Sequence, residues 1–479
     1  MTKYKLFILV FTVFLLTRLV GLGYDMSNSD AARWHRRSEN FLTALKHQNF
    51  AKTYQHYQPG VTLMWLNAIT KQSVALVQTD PQKTLENADW FPIIDGISKA
   101  VIIFVLAGLL AVQVYVIAKI YTVKVALLYG FFLAVEPYMI GIDRWFHLTA
   151  LETYTAFCAF LLLLYWSEKR TKKLLVLSAV FLALSILSKL TSFILLPLFL
   201  VIIFDLEKKF KPAALYIGVI LLTLFLVFPA FWADGLQVLQ KFFLAVTNAV
   251  GNDIRAQELS GPLRILFYPV LLAFKLSPLT LVAGFLAFTK YKELFASSKT
   301  KLLLIYLVFY FIVMSIPDKK IDRYALVFIA PLLLLISVYL ATLQQKVVTV
   351  IAALSLLFLV YVIYVFHPIY SAYYSPIFGG TREAINLGVY DNSGEYFAQA
   401  AFYLNSKGRN NYTFIPDNIE SFSYYYKGFL QREFDSKTTY IVRSHDIDRK
   451  EVIEPNCPTL DKTFGTKEAA VIYVFTCQK

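Results

Sequence analysis

Charged residues are scarce in this sequence, and their scarcity limits the classes to which it can belong. They make up 16% of the 479 residues, whereas hydrophobic residues make up 57% and the mean hydropathy is +0.56. Intrinsically disordered chains have the opposite balance, and soluble domains carry more charge. The composition therefore indicates an α-helical polytopic membrane protein.

Cysteine and histidine are also rare. The chain has three cysteines and six histidines, and no histidines have the HExxH spacing of a zinc site. We therefore expect no metal and no certain cofactor, and no ligand set for a divalent cation is visible. Cys158 lies in an apolar run, whereas Cys457 and Cys477 lie in the C-terminal tail, where a disulfide and simple burial are both open alternatives. Internal repeats and glycine-rich nucleotide loops are missing from the sequence.

Long apolar runs are abundant. Eleven of them, two short, are predicted to cross about 30 Å of hydrocarbon. These predicted spans are 4–24, 97–118, 125–142, 149–166, 174–188, 190–204, 213–233, 263–289, 302–316, 323–342 and 347–366.

The orientation of the chain follows from its flanking charges. The first run follows Lys3 and Lys5 without a cleavage site after it, so we interpret it as a retained signal anchor with a cytoplasmic N-terminus. Lys and Arg are then more numerous in the inner tracts than in the short outer loops. An odd number of spans places the C-terminus outside the plasma membrane. This asymmetry and contact with anionic lipids explain most of the +14 net charge, so we predict membrane-lipid partners and no nucleic acid.

Two regions are too polar to span a bilayer. The loop 25–95 is far longer than a connection needs to be, which usually signals function. The tail 368–479 contains a predicted helix at 395–406 and predicted strands YTFIP, TTYIVRS and AAVIYVFTC. The sequence thus divides into a transmembrane module, 1–367, and a small extracytoplasmic α/β accessory domain that is a candidate for acceptor binding.

The long loop carries two predicted amphipathic helices. Asp30, Trp34, Arg37 and Phe41 recur at helical spacing and so share one face, with Ser29 as the expected N-cap. The second helix, 61–77, follows a Pro-Gly break. Both are expected to lie on the membrane surface.

Ionisable residues cluster on the predicted outer side, where their cost makes them candidates for function. The clusters are Asp30 with Arg33, Arg36 and Arg37; Asp143-Arg144 with His147; Lys189; and Asp318-Lys319-Lys320 with Asp322-Arg323. An acid among cations at a lipid surface suits transfer of a group from a lipid phosphate. The cations would stabilise the leaving phosphate, and the acid would take a proton from the attacking hydroxyl.

Each cluster also has a purely structural interpretation. Arg36 would contact lipid headgroups. Asp143 and Arg144 would form a local salt bridge or a helix end, and Lys319 and Lys320 would be ordinary loop cations. Asp30 would favour the dipole of the helix that it opens.

Five stretches resemble, in order, the GT-C membrane glycosyltransferases of family 39, the protein O-mannosyltransferase group with its bacterial relatives that include lipid A aminoarabinose transferase. They are SDAARWHRRSENFLTALKHQNFAKTYQHYQPGVTLMW (29–65), EPYMIGIDRWFHLTALETY (136–154), LALSILSKLTSFILLP (182–197), IPDKKIDRYALVFIAP (316–331) and YYSPIFGGTREAINLG (373–388). The resemblance covers nearly the whole chain.

The resemblance implies a transferase that moves a sugar from a polyprenyl-phosphate donor to a hydroxyl of a protein or glycolipid acceptor, with inversion at the anomeric carbon. It assigns Asp30 as general base. The donor phosphate would be held by Arg33 or Arg37, Lys319, Lys320, Arg323 and Tyr324. The acceptor side would include Asp143, with Arg144 and His147 beside it.

Three departures from the family pattern stand out. The common Asp-Glu of the first loop is Asp30-Ala31 here, which leaves Asp25 as a reserve base. The common His-Pro-Gly is Gln58-Pro59-Gly60, and the glycine-tryptophan-glycine-glutamate stretch of the tail is reduced to DNSGEYF (391–397). The last two bear on the acceptor more than on the reaction class.

Other classes stay open at this point. A transporter or flippase would show broken spans and often paired repeats. A polysaccharide polymerase or ligase is an alternative enzyme class with a related reaction. A non-catalytic assembly protein would tolerate the loss of Asp30 and Asp143.

Overall fold

The chain is mainly helical in a computed structural model that describes residues 3–78, 80, 84–249, 263–317, 320–416, 418–445 and 457–477. Within these ranges seventeen helices precede the tail: α1 Lys3–Leu19, α2 Ala31–Lys46, α3 Val61–Val77, α4 Phe91–Ile120, α5 Val123–Val135, α6 Pro137–Asp143, α7 Leu148–Lys169, α8 Lys172–Ser188, α9 Leu195–Glu207, α10 Phe210–Val227, α11 Ala230–Ala249, α12 Leu263–Lys275, α13 Pro278–Thr289, α14 Tyr291–Phe295, α15 Ser298–Ser315, α16 Leu326–Thr342 and α17 Gln345–Phe366. Short 3₁₀ turns at Phe50–Thr53, Leu190–Ile194 and Asp322–Ala325 join several of them.

The helices are those of an integral membrane protein. Within the described ranges, seven are long and apolar enough to cross a bilayer, or eight if α5 and α6 form one broken span. Every segment predicted to span is helical over most of its length. α7 is buried along almost its whole length between α4 and α8, whereas the outer faces of α10, α15 and α17 expose apolar side chains.

Three of the predicted spans are interrupted. One, 213–233, is divided between α10 and α11, and the other two have a local cause. The run 125–142 bends by 67° between α5 and α6, where Pro137 disfavours helical geometry in the residue before it. The run 263–289 breaks at Ser277, whose hydroxyl accepts a hydrogen bond from the amide of Thr280 at 3.3 Å and caps α13. Hydropathy hides both breaks because the residues around them are apolar.

The tail forms a small α/β unit. Three helices, α18 Gly380–Asn386, α19 Phe397–Ser406 and α20 Ile419–Ser423, accompany five strands, β1 Tyr412–Phe414, β2 Phe429–Gln431, β3 Tyr440–Ser444, β4 Thr459–Gly465 and β5 Ala470–Thr476. The sheet order is β2-β1-β3-β5-β4. β1 runs parallel to β2 and β3, and β5 runs antiparallel to β3 and β4. The predicted helix and three predicted strands are confirmed; β2 and β4 were not predicted.

The tail packs against the first half of α2. The amide of Ser29 donates to the carbonyl of Ser393 at 3.0 Å, within the DNSGEYF stretch. Arg36 donates to the hydroxyl of Tyr424 at 3.1 Å. Cys457 and Cys477 form a disulfide that closes the last part of the tail, and Cys158 is a buried free thiol.

Candidate functional site

An acid, Asp30, lies at the N-terminus of α2. The predicted N-cap, Ser29, is wrong by one residue, because Asp30 occupies that position. The amide of Asp30 donates to the side-chain oxygen of Asn28 at 3.0 Å, which sets the turn before the helix. The carboxylate of Asp30 makes no capping hydrogen bond and is therefore available to other partners.

Three cationic or hydrogen-bonding side chains surround the Asp30 carboxylate. The guanidinium of Arg323 lies 3.1 Å away, the imidazole of His147 3.5 Å away and the guanidinium of Arg33 3.8 Å away. They come from the turn before α16, the turn before α7 and the first turn of α2. Three distant parts of the sequence therefore converge on one oxygen pair.

These residues line a cavity of about 250 Å³, here called the Asp30 cavity. Its lining is Asp30, Arg33, Trp34, Arg37, His56, Tyr57, Gln58, His147, Leu148, Lys189, Ile321, Arg323 and Tyr324. One carboxylate faces four basic side chains, those of Arg33, Arg37, Lys189 and Arg323. The cavity therefore has an excess of positive charge that suits an anion.

The charges set the protonation of the acid. Burial alone would raise the pKa of Asp30, but the hydrogen bond with His147 and the charges of Arg323 and Arg33 together hold it well below its usual range. Asp30 is therefore a carboxylate at neutral pH.

The two histidines of the cavity are neutral. Burial lowers the pKa of His147 to about 4, and the hydrogen bond with Asp30 only partly opposes that effect. Burial, with the charge of Arg37, also lowers the pKa of His56 to about 4. Each imidazole can therefore accept or donate a hydrogen bond without adding charge.

Lys189 reaches the cavity from the turn between α8 and α9. Its ammonium lies 3.3 Å from the carboxylate of Glu152 and 4.0 Å from the centre of the Tyr324 ring. The side chain of Gln58 accepts a hydrogen bond from the amide of Leu190 at 2.9 Å, which ties the loop before α3 to this turn. The conspicuous Lys189 of the sequence thus lies beside the Arg-Tyr pair.

Not every residue assigned from the sequence reaches the Asp30 cavity. The ammonium of Lys320 donates to the carbonyls of Ser315 and Pro317, at 2.5 and 2.6 Å. It closes its own turn and is not part of the cavity lining, so its assignment to the donor phosphate stays a prediction. Lys319 lies outside the described residues.

Asp143 and Arg144 are likewise placed behind the cavity wall. The carboxylate of Asp143 accepts from Arg18 at 2.8 Å and from the hydroxyl of Tyr154 at 2.8 Å, and it is 1% exposed. The guanidinium of Arg144 donates to the carbonyl of Val20 at 2.8 Å. These pairings fix the end of α1. Neither side chain is part of the cavity lining, whereas that of His147 is.

The reserve acid, Asp25, is committed to structure. It is 1% exposed, and its two carboxylate oxygens contact Lys99 at 2.9 Å and Arg144 at 3.2 Å. A carboxylate buried between two cations cannot reach an incoming hydroxyl. Asp30 is the acid that the described part of the cavity presents.

Sequence reasoning missed the wall formed by His56 and Tyr57. The signal was the Pro59-Gly60 pair after them, which marks a turn. Gly60 has φ +59°, and a Cβ on it would collide with the ring of Trp34. Only glycine lets the loop pass over Trp34 and turn His56 into the cavity. Among the described residues, no group of three or more His, Cys, Asp or Glu side chains has the geometry of a metal site.

Neither protein-family models nor curated protein sequences give a match to this chain. Solved structures do. ArnT from Cupriavidus metallidurans, bound to undecaprenyl phosphate, is 13% identical with a TM-score of 0.57, over 98% of this chain and 97% of its own. The Archaeoglobus fulgidus oligosaccharyltransferase tethered to an acceptor peptide with the NVT sequon is 13% identical with a TM-score of 0.51, over 93% of this chain and 69% of its own. The chain therefore has the GT-C fold of polytopic membrane glycosyltransferases.

Proposed function

We propose that this protein transfers a hexosyl or pentosyl group from a polyprenyl-phosphate donor to an acceptor hydroxyl, with inversion at the anomeric carbon. The observation that supports the proposal is one partly exposed carboxylate, that of Asp30, among four basic side chains in a single cavity. The basic residues are Arg33, Arg37, Lys189 and Arg323. The GT-C fold supports the same reaction class by analogy of architecture.

The cations suit the leaving group. A sugar–phosphate diester carries one negative charge, and the polyprenyl phosphate that departs carries up to two. Charge therefore develops on the phosphate as its bond to the sugar breaks, and Arg323 and Lys189 are positioned to stabilise it. Arg323 and Arg33 add the planar donor geometry that phosphate oxygens accept in pairs.

Asp30 suits the nucleophile. Its carboxylate would take the proton of the acceptor hydroxyl while the hydroxyl oxygen forms its bond to the anomeric carbon from the face opposite the phosphate. The carbon–phosphate-oxygen bond breaks in the same step, and its electron pair leaves with the phosphate. Asp30 then holds the proton and polyprenyl phosphate is released.

Donor binding also makes Asp30 a better base. In the structure Arg323 and Arg33 interact with the Asp30 carboxylate, and these charges lower its pKa. A phosphate in the cavity would share the same guanidinium groups, so each of them would stabilise the carboxylate less. The pKa of Asp30 then rises toward its usual range when the donor is present, and proton transfer becomes easier.

The membrane supplies the rest of the donor. The polyprenyl chain would lie among the lipids beside the exposed apolar helices, and the phosphate would enter the Asp30 cavity at the membrane surface. The bound undecaprenyl phosphate of ArnT supports this class of ligand. With the N-terminus cytoplasmic, the cavity and the tail would face the outside of the plasma membrane, where a protein or glycolipid acceptor would meet them. No step requires a cofactor.

A turnover assay tests the proposal. The purified protein in lipid nanodiscs is given a panel of polyprenyl-phosphate hexoses and pentoses, and release of polyprenyl phosphate is followed. Wild type is expected to consume at least one donor, and Asp30→Asn to lose roughly 10²-fold or more in rate, as expected for a lost general base. Asp205→Asn, an exposed carboxylate at 71%, is the control and keeps the wild-type rate. Equal rates for wild type and Asp30→Asn would refute the assignment of the base.

A further inference from the structure

The polar face of α2 continues beyond the Asp30 cavity. Asp30, Arg33, Arg37, Asn40 and His47 follow one another at steps of three, four, three and seven residues, so they line one side of the helix. At 1.5 Å per residue, Asn40 lies about 15 Å and His47 about 25 Å from Asp30 along the axis. A ligand whose reacting end lies at Asp30 can therefore follow this face.

A second cavity occupies that stretch. It has a volume of about 430 Å³ and lies between α2 and the segment 49–55, which contains the 3₁₀ turn Phe50–Thr53. Asn40, Thr43 and His47 line it from the helix, and Lys52, Tyr54 and Gln55 line it from the segment. It is called the α2 groove below.

The α2 groove and the Asp30 cavity are neighbours. Arg37 and His56 line the cavity. Asn40, about one helical turn after Arg37, and Gln55, the residue before His56, line the groove. Asn40 donates to the side-chain oxygen of Gln55 at 3.2 Å, and this single neutral hydrogen bond joins the two walls at the boundary. An exposed amide pair of this kind exchanges readily with a hydroxyl-rich ligand.

The far wall of the groove is held in place. Phe50 contacts the ring of Trp232 edge-on at 5.1 Å, and Tyr54 stacks on Phe228 at 6.2 Å. The segment is therefore packed against the start of α11 and the end of α10. A wall fixed in this way can offer its polar groups without first being ordered by a ligand.

The chemistry of the groove selects among ligand classes. Amides and a hydroxyl act as both donors and acceptors, which matches the hydroxyl groups of a sugar. Polar side chains interrupt the apolar surface of Ala44 and Tyr54, so the groove lacks the continuous apolar wall that a polyprenyl chain would need. A peptide added as a strand would need a free sheet edge, whereas one wall here is an α-helix and the other a 3₁₀ turn with a short loop. The lining includes Lys52 and no carboxylate, so negative charge on the ligand is tolerated.

We infer that the α2 groove binds the saccharide chain of the acceptor, and that this chain extends along α2 from a terminal hydroxyl placed at Asp30. The inference rests on the proposed function for the direction of the chain. It makes the acceptor a glycan or the glycan of a glycolipid, with Asn40, Thr43 and Gln55 as the residues that recognise it.

Binding of defined sugars tests the inference without any donor. Maltohexaose, mannohexaose, chitohexaose and a serine–threonine peptide are titrated onto the full-length protein in nanodiscs, and binding is followed by saturation-transfer NMR. At least one hexasaccharide is expected to bind, more tightly than its disaccharide. Asn40→Ala and Thr43→Val should each weaken that binding about fivefold, as expected for one hydrogen bond. Lys46→Ala, on the same helix but outside the groove, should not change it.

Three results would overturn the assignment: no hexasaccharide binds, binding is unaffected by Asn40→Ala and Thr43→Val, or the peptide binds in their place and the two variants weaken it. Both substitutions lie at exposed positions of α2, so loss of the fold does not explain a loss of binding. Because the titration contains no donor, it reports on the groove alone. Release of polyprenyl phosphate by the wild-type protein reports separately on the proposed function.

Discussion

The carboxylate of Asp30 and the guanidinium of Arg323 lie 3.1 Å apart although 293 positions separate them in the sequence. Arg323 lies in the 3₁₀ turn that precedes α16, and Asp30 is the N-cap residue of α2. In the proposed reaction the two groups have different partners, since one takes a proton and the other holds the phosphate. The proposed reaction therefore requires the donor phosphate to replace Asp30 as the partner of Arg323.

Arg323 should matter through its geometry as well as its charge. Arg323→Gln removes the cation and is expected to lower donor turnover by about 10²- to 10³-fold, as for loss of one preorganised stabilising group. Arg323→Lys keeps the charge but loses the paired donors, so a smaller loss, about tenfold, is expected. The rates are measured as release of polyprenyl phosphate, with Arg382→Gln on exposed α18 as the control. If the Lys variant turns over the donor at the wild-type rate, a requirement for paired donation by the planar guanidinium is excluded.

Asp25 should affect stability and not chemistry. Its carboxylate is buried between Lys99 and Arg144, so Asp25→Asn leaves two buried cations with less compensation. Breaking a buried ion pair from one side typically costs about 3–5 kcal/mol. We expect a clearly lower thermal unfolding temperature in detergent, together with a wild-type rate per folded molecule. A large loss of rate in the folded fraction would instead make Asp25 the base.

His56 should make the protein less stable in mild acid. Burial, and then the charge of Arg37, lowers its pKa from 6.5 to about 4 in the folded protein. As the pH falls from about 6.5 to about 4, the unfolded chain takes up a proton that the folded chain does not, so folding stability decreases over that window. His56→Gln should reduce this slope, measured as unfolding temperature against pH. His47→Gln, which removes an exposed histidine of the same loop, serves as the control, and an equal reduction in both variants would contradict the assignment.

Arg33 is shared between the cavity and the tail. Its guanidinium lies 3.0 Å from the carboxylate of Glu420 and 3.8 Å from that of Asp30, and it is 52% exposed. Glu420→Gln removes the tail's charge and should free Arg33 for the donor phosphate. We expect the KM for the donor to fall about two- to threefold, within the range of an exposed ion pair, with little change in kcat. A raised KM would show that Glu420 positions Arg33 for the donor.

The sequence predicted the membrane-helical fold more completely than it predicted the arrangement of the candidate site. Hydropathy located the spans because a membrane helix must be apolar along its length, and helical spacing placed Asp30 and Arg37 on one face of α2. Neither rule could assign Asp143. Its partner, Arg18, lies 125 positions away within the first span, so only the packed bundle shows that this acid is already neutralised.

The position of the His56–Tyr57 wall of the cavity could not be predicted for a related reason. His56 and Tyr57 lie in a loop with no periodic pattern, and what turns them inward is the close passage of Gly60 over Trp34. The local contacts of Lys320 could not be foreseen, because a charge in a loop says nothing about its nearest carbonyls. Ser315 and Pro317 satisfy that lysine locally.

The central claim is that Asp30 and the donor phosphate compete for the same cations while Asp30 alone takes the proton. The most direct test is the affinity of undecaprenyl phosphate for wild type, Asp30→Asn and the control Asp205→Asn in nanodiscs, measured beside donor turnover. Loss of the carboxylate frees Arg323 and Arg33 and removes a like charge, so the account predicts tighter binding by Asp30→Asn together with loss of turnover. Binding that is weaker than, or equal to, that of wild type would contradict it.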